Sequence, residues 1–171
     1  MPAVHDRYAN GDAYIGEVKC MGDGTVVKEG LGVYHFGRGS SYEGEWRAGL
    51  MHGWGVFKEG DTGDRYEGVW REGKRSMGRY YFSNGDIYEG SFLNNLKHGR
   101  GVVWEDQSMF EVIYDCDLLV SKRPFNTAMG SMVRTHRLPR KCKGPSPQRV
   151  SAALGILRHR REANGVAPMR G

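Results

Sequence analysis

A short phrase, Tyr-x-Gly-x-aromatic, recurs along this chain and constrains its fold more than any other feature. It occurs as Tyr42-Glu-Gly-Glu-Trp46, Tyr66-Glu-Gly-Val-Trp70 and Tyr88-Glu-Gly-Ser-Phe92, so that the tyrosines are 24 and 22 residues apart. A related phrase begins at Tyr14, 28 residues before Tyr42, and a degenerate one begins at Phe110, 22 residues after Tyr88. Self-similarity at a short period indicates an array of similar supersecondary units.

Each phrase is followed by a glycine-rich second half and then by a turn signal. His52-Gly-Trp-Gly55 and His98-Gly-Arg-Gly101 are two such halves, and between Gly73 and Gly78 the third copy is one residue short. Steps such as Gly85-Asp86 precede the next tyrosine, and steps of this kind favour strand reversal. Each unit is therefore predicted to be a β-hairpin, and the recurring histidines are interpreted as structural rather than catalytic.

Alternation within each phrase predicts which side chains share a face of the sheet. Side chains at i, i+2 and i+4 of a strand point the same way, so Tyr42 and Trp46 lie on one face, and Glu43 and Glu45 face solvent. The glycine between the rings leaves room for rings to fold over bare backbone. One hairpin is marginal in water, whereas stacked hairpins bury their rings at roughly 1.5–3 kcal/mol for each large side chain.

The combined pattern of Tyr-x-Gly-x-Trp, His-Gly-x-Gly and Gly-x-x-Tyr resembles the MORN repeat over residues 8–118. The resemblance implies an all-β fold, namely an elongated, twisted single-layer antiparallel sheet of stacked hairpins with a groove along it. We assign residues 1–120 to an array of about four repeats and a degenerate cap, in which Val112 replaces the repeat glycine. Six rings are candidates for a partner-binding groove, with core packing as their alternative role: Tyr42, Trp46, Tyr66, Trp70, Tyr88 and Phe92.

The remainder of the chain is basic and carries no repeat. Residues 1–120 hold 13 Lys and Arg against 19 Asp and Glu, a net charge of −6, whereas residues 121–171 hold 12 against 1, a net charge of +11. We interpret residues 121–145 as an irregular basic linker and residues 146–171 as a basic amphipathic helix and terminus. Strongly basic segments of this kind are typical of contacts with acidic surfaces.

The predicted tail helix spans about residues 147–163. Ser146-Pro147 is a helix-start signal, and Val150, Ala153, Leu154 and Leu157 fall on one helical face. The candidate anchor to an acidic partner consists of the arginines around that face: Arg149, Arg158, Arg160 and Arg161. The alternatives are a helix that docks on the array's own end and a disordered tail.

Cysteine usage and missing motifs argue against several other classes. Cys20, Cys116 and Cys142 are odd in number and lack CxxC or Cys/His ligand spacing, so neither a disulfide framework nor a zinc site is indicated. The sequence has no GxxxxGK[ST] phosphate loop, no apolar run of about 18 residues and no signal-peptide pattern. We therefore expect a cytoplasmic protein with no catalytic residues, no cofactor, no metal and no transmembrane segment.

The resemblance also implies a function. MORN proteins that resemble this chain are often cytoskeletal, including parts of cilia and flagella. We expect a non-enzymatic scaffold that binds other proteins of a cytoskeletal assembly, such as a ciliary or flagellar axoneme. The alternative is a peripheral membrane module that binds acidic phospholipids, for which the tail supplies about 1 kcal/mol per Lys or Arg.

Two further classes are not expected. MORN arrays precede catalytic domains in some proteins, but 51 residues follow Val120, too few for such a domain. Nucleic-acid binding is not expected either, because Phe125 is the only aromatic residue after Tyr114, and single-stranded nucleic acids are bound largely by stacking on rings.

Overall fold

The computed structural model describes residues 1–125, which form one open antiparallel sheet of eleven strands. The strands follow one another across the sheet in chain order, so that every connection is a hairpin. The predicted all-β, single-layer fold is confirmed; the predicted tail helix lies outside the described residues. The strands are β1 Ala3–Arg7, β2 Ala13–Cys20, β3 Val26–His35, β4 Ser41–Arg47, β5 Leu50–Lys58, β6 Arg65–Arg71, β7 Lys74–Tyr81, β8 Ile87–Leu93, β9 Leu96–Glu105, β10 Ser108–Asp115 and β11 Leu118–Pro124.

A row of paired glycines, which we call the glycine row, crosses eight consecutive strands from β2 to β9. A Cβ atom on Gly44 would lie 2.5 Å from the Cα atom of Gly55, its partner on β5. At all eight positions of the row a Cβ would lie 2.3–2.5 Å from the facing backbone or from a tyrosine side chain, closer than a side chain permits. The members are Gly16, Gly32, Gly44, Gly55, Gly68, Gly78, Gly90 and Gly101.

Each repeat tyrosine lies over two glycines of this row. A Cβ on Gly44 would come within 2.6 Å of the Tyr42 hydroxyl, and the tyrosine hydroxyl donates a hydrogen bond to the carbonyl of Glu45, 2.9 Å away. The same bond to the residue three positions later recurs in the other three copies, at 2.7 to 3.1 Å. The four tyrosines are almost wholly buried, with at most 1% of their surface exposed: Tyr14, Tyr42, Tyr66 and Tyr88.

The indole and phenyl rings fill the intervals between the tyrosines. Tyr42 meets Trp46 and Trp70 edge to face, with ring centroids 5.1 and 5.4 Å apart. The indole Nε1 of Trp46 donates to the carbonyl of Gly32, and that of Trp70 donates to Gly55, each at 3.3 Å. Each indole therefore bonds to a strand of the preceding hairpin unit, which ties consecutive units together.

Bulges interrupt the pairing next to the glycine row, and a glutamate stabilises each of two of them. Between Gly44↔Gly55 and Glu45↔His52, β5 carries two extra residues, and the carboxylate of Glu45 accepts a hydrogen bond from Trp54 N at 2.9 Å. Glu17 accepts one from Leu31 N at 2.7 Å in the same way. The interpretation of Glu45 as a solvent-facing residue was therefore wrong, because its carboxylate satisfies a backbone donor that the bulge frees.

The third copy is one residue short because its bulge contains one extra residue, whereas the bulge of β5 contains two. Val69 pairs with Met77 and Trp70 with Arg75, so Ser76 is the one extra residue of β7.

At the C-terminal end of the sheet, β10 pairs with β11 as far as Pro124. The sheet therefore extends four residues past the expected array end at position 120.

We expect a methyl group in the glycine row to damage the sheet. In Gly68→Ala the new Cβ would lie 2.6 Å from both the Cα of Gly78 and the hydroxyl of Tyr66, and overpacking of this kind costs about 1–3 kcal/mol. Thermal unfolding of the purified chain measures the effect. Gly22→Ala is the matched control, because nothing lies within 4 Å of its Cβ position; an equal melting temperature for the two variants would contradict this packing.

The buried tyrosines predict a loss of stability at alkaline pH. Burial raises the pKa of the Tyr42 hydroxyl, and likewise those of Tyr14, Tyr66 and Tyr88, above the value near 10 of an unfolded chain. The unfolded chain therefore releases protons that the folded chain retains, and the free energy of unfolding falls as the pH rises above about 10.

Melting temperatures between about pH 8 and pH 11 test this expectation. We expect little change up to about pH 9 and a fall above about pH 10, which Tyr42→Phe should make shallower because one buried hydroxyl is removed. A fall of the same steepness in Tyr42→Phe would contradict the assignment to the buried tyrosines.

Candidate interaction surface

One face of the sheet, which we call the aromatic face, carries the glycine row and the rings on either side of it. The six rings predicted to line a groove all lie here, and they form its floor. Their side chains are between 0% and 9% exposed, because neighbouring rings and the cations above them cover them. Core packing, the alternative considered for these rings, is therefore what the geometry shows for most of their surface.

Half-buried rings stand between the floor tyrosines and offer more surface to a partner. Tyr34 pairs with Tyr42 across β3 and β4, Phe57 pairs with Tyr42 across β4 and β5, and Tyr80 lies between Tyr66 and Tyr88. Sequence reasoning missed them, although each lies two residues after a glycine of the row. The alternation rule that places the tyrosines on this face therefore also places these rings there.

Two aspartates fix the half-buried tyrosines and join successive turns. Asp12 accepts hydrogen bonds from the Tyr34 hydroxyl at 2.6 Å and from Gly37 N at 2.7 Å. Asp64 accepts equivalent bonds from the Tyr80 hydroxyl at 2.9 Å and from the backbone N of the next turn, at Ser83. The bond from Tyr34 and the bond from Gly37 lower the pKa of the Asp12 carboxyl, which favours its charged form.

Cations lie over the rings on the other side of the glycine row. The Lys28 ammonium is 4.8 Å from the ring centre of Tyr34 and 5.2 Å from that of Trp46. The Arg75 guanidinium lies 5.1 Å from the Tyr80 ring, and Lys97 lies 4.4 Å from the Tyr114 ring. A cation over a ring face is attracted by the ring quadrupole. Arg75 also pairs with Glu59 at 3.1 Å, and Lys97 Nζ lies 3.9 Å from Asp117. We call Lys28, Arg75 and Lys97 the ring-facing cations.

At the turn side of the aromatic face the rings border an open depression of about 500 Å³. Its apolar wall is formed by Phe36 and Phe57, whose ring centres are 5.7 Å apart. Backbone and polar side chains of the neighbouring turns complete the lining: Asn10, Asp12, Gly37, Arg38, Ser40 and Asp61. The depression is large enough for an apolar side chain of a partner.

The opposite face of the sheet differs in chemistry. Valines and charged residues alternate across its strands, and Arg79 pairs with Glu89 at 2.6 Å. Glu43 lies between Val33 and Val56, and burial there raises the pKa of its carboxyl. Glu43, predicted to face solvent, is thus partly packed against its neighbours on this face. The predicted basic anchor, Arg149, Arg158, Arg160 and Arg161, lies outside the described residues.

Among residues 1–125, no Asp, Glu, Lys, Arg or His is fully buried. The buried titratable groups there are the hydroxyls of the four repeat tyrosines, each of which donates to a backbone carbonyl. The same part of the chain contains no helix of the length and apolar character needed to cross a membrane.

Comparison with known families agrees with the geometry. The family model of the MORN repeat matches four consecutive stretches, residues 27–41, 42–61, 66–87 and 88–109. A search of curated proteins finds no match to the chain. The unit that contains Tyr14 precedes the matched stretches, yet its ring lies over Gly16 and Gly32 as the others lie over their glycines.

MORN repeats are non-enzymatic modules that serve in protein and membrane interactions. Their hallmarks in this chain are the four matched stretches, the glycine row and the tyrosines that cover it. Through the array at residues 27–109, the chain belongs to the MORN-repeat proteins.

Proposed function

We propose that this protein is a non-enzymatic scaffold that binds other proteins of a cytoskeletal assembly. The aromatic face holds one partner, and the basic tail grips a second, acidic one. We place the protein in the cytoplasm on the cytoskeleton, in the axoneme of a cilium or flagellum. The supporting argument for this location is the resemblance to cytoskeletal MORN proteins, together with a tail whose net charge of +11 suits an acidic filament surface.

The observation that carries the scaffold proposal is the combination of rings and cations on one open face. Half-buried aromatic side chains give binding energy without large ordering costs, and aromatic and arginine side chains are enriched at interfaces. On this face Tyr34, Phe57 and Tyr80 alternate with floor tyrosines over seven strands, β2 to β8. A continuous strip of this kind suits an elongated partner segment.

The charges indicate the composition of that segment. Residues 1–120 are acidic overall, with a net charge of −6, but the ring-facing cations lie on the aromatic face. The open depression between Phe36 and Phe57 would receive an apolar side chain. We therefore expect the partner segment to combine apolar side chains with carboxylates, which would contact Lys28 and compete with Glu59 and Asp117 for Arg75 and Lys97.

Reversing the ring-facing charge should separate the aromatic face from its partner. We expect the double variant Lys28→Glu, Lys97→Glu to recover at least about tenfold less of the main partner, since tenfold corresponds to about 1.4 kcal/mol. Affinity purification from source cells with quantitative mass spectrometry measures the recovery. Lys19→Glu, Lys74→Glu is the control, because it changes the net charge equally at exposed positions; equal recovery by both double variants would contradict the proposed surface.

The tail part of the proposal has its own test. Changing Arg149, Arg158, Arg160 and Arg161 together to Glu removes the positive charge around the predicted helical face. We expect release from the assembly in cells while the array still folds, which circular dichroism of the purified variant checks. Retained localisation of this variant would refute the tail anchor without affecting the aromatic face.

The second candidate is a peripheral membrane module, favoured by the positive charge of the tail. Each Lys or Arg near an anionic surface contributes about 1 kcal/mol. Flotation with vesicles that contain phosphatidylserine and phosphoinositides distinguishes the two candidates. Flotation of the wild-type chain that the four-arginine variant loses would favour the membrane module; absence of flotation by the wild-type chain would exclude it.

A further inference from the structure

The last turn of the array brings three side chains with metal-ligand chemistry together. His98 lies on β9, Asp115 ends β10, and Cys116 is the first residue of the turn to β11. The Nδ1 atom of His98 is 3.3 Å from Oδ1 of Asp115 and 3.7 Å from Sγ of Cys116. The three ligand atoms all lie within 4.8 Å of one another.

We propose that His98, Asp115 and Cys116 form a zinc-binding site with an open fourth position. Tetrahedral Zn²⁺ binds nitrogen and oxygen at about 2.0–2.2 Å and sulfur at about 2.3 Å, which places neighbouring N and O ligands about 3.4 Å apart and N and S ligands about 3.6 Å apart. The observed separations, 3.3 and 3.7 Å, are close to both values. His98 therefore already lies at near-tetrahedral separations from the other two ligands, and the separation between Asp115 and Cys116, at most 4.8 Å, would adjust as the ion enters.

The backbone of the turn fixes the position of Cys116. Asp117 N donates to the carbonyl of Lys97 at 2.8 Å, and Lys97 N donates to the Asp117 carboxylate at 2.8 Å. This reciprocal pair holds the turn against β9 next to His98. Lys97, next to His98 in the sequence, has its Nζ 3.9 Å from the same carboxylate, so its charge is partnered by an aspartate that is not a ligand.

The same position in the earlier repeats carries no such cluster. His52 precedes its bulge glycine as His98 does, but the residues that correspond to Asp115 and Cys116 there are Arg71 and Glu72. One unit earlier, Arg47 and Ala48 occupy these places. In the hairpin between these and the last one, the equivalent residues are Leu93 and Asn94. Within the described array, aspartate and cysteine thus occupy these two places only in the last hairpin.

The donor set indicates the class of metal. Thiolate and imidazole ligands favour zinc and related borderline or soft cations, whereas Ca²⁺ and Mg²⁺ prefer sets made of oxygen. His98 is half-buried, and Asp115 and Cys116 are exposed, so the fourth position faces solvent. Water, or a donor from a bound protein, would complete the tetrahedron.

Titration of the full-length chain with Zn²⁺ under reducing conditions, and with Co²⁺ as a spectroscopic probe, tests the site. We expect the wild-type chain to show a thiolate-to-cobalt absorption band and a zinc-dependent rise in melting temperature. His98→Ala and Cys116→Ser should each weaken binding at this site at least tenfold and abolish the band and the rise. His52→Ala and Cys20→Ser, which change the same residue types at other described positions, should leave all three readouts unchanged.

The substitutions are at a strand end and in a turn, and melting in the absence of metal verifies that each variant is folded. Binding that is unchanged in His98→Ala and Cys116→Ser would overturn the proposal, because the metal would then bind elsewhere, including at the histidines and cysteine of residues 126–171. Equal loss in the His52 and Cys20 controls would overturn it too. A wild-type chain that gives neither the band nor the rise would have no such site.

Discussion

The fold depends on the contact between a tyrosine ring and two facing glycines. Because Gly44 and Gly55 carry no Cβ, the Tyr42 ring can lie directly on the backbone, where it is fully buried although the sheet has a single layer. A sheet of one layer has no second sheet to cover its apolar side. The ring and the bare backbone take over that role, and the tyrosine hydroxyl is satisfied locally by the Glu45 carbonyl instead of requiring solvent.

This solution leaves the rest of the face available for binding. The floor rings occupy the space over the glycines, so side chains in between, such as Tyr34 and Tyr80, remain half-buried. Lys28 extends over Tyr34, and Arg75 extends over Tyr80. In a two-layer domain the same positions would be sealed in the core. An open layer therefore combines the core and the interaction surface on one side of the sheet, and a substitution in the floor affects both.

Much of this arrangement follows from the sequence, because period-two alternation and recurring glycines are local signals. They place Tyr42 and Trp46 on one face and predict a hairpin for each copy. The bulge is different: alternation along β4 assigns Glu45 to the face opposite the rings, but it does not show that β5 carries two extra residues, which bring Trp54 N to the Glu45 carboxylate. The position of Arg75 escapes prediction because one extra residue, Ser76, shifts its parity relative to Gly78. Lys28 and Lys97, each four residues before a row glycine, keep the parity of the aromatic face.

Departures from the repeat, rather than the repeat itself, give the array its individual chemistry. Residues at the recurring positions pack the sheet, so a substitution there damages it. At the last hairpin the constraint is relaxed: Val112 takes the place of a row glycine and is buried without a tyrosine above it, while Asp115 and Cys116 replace the residues of earlier turns. His98 and Cys116 are 18 residues apart, a spacing that carries no metal signature in one dimension. The antiparallel pairing of β9 with β10 brings them close together. Ligands of this kind can therefore be identified from the register of paired strands but not from a sequence motif.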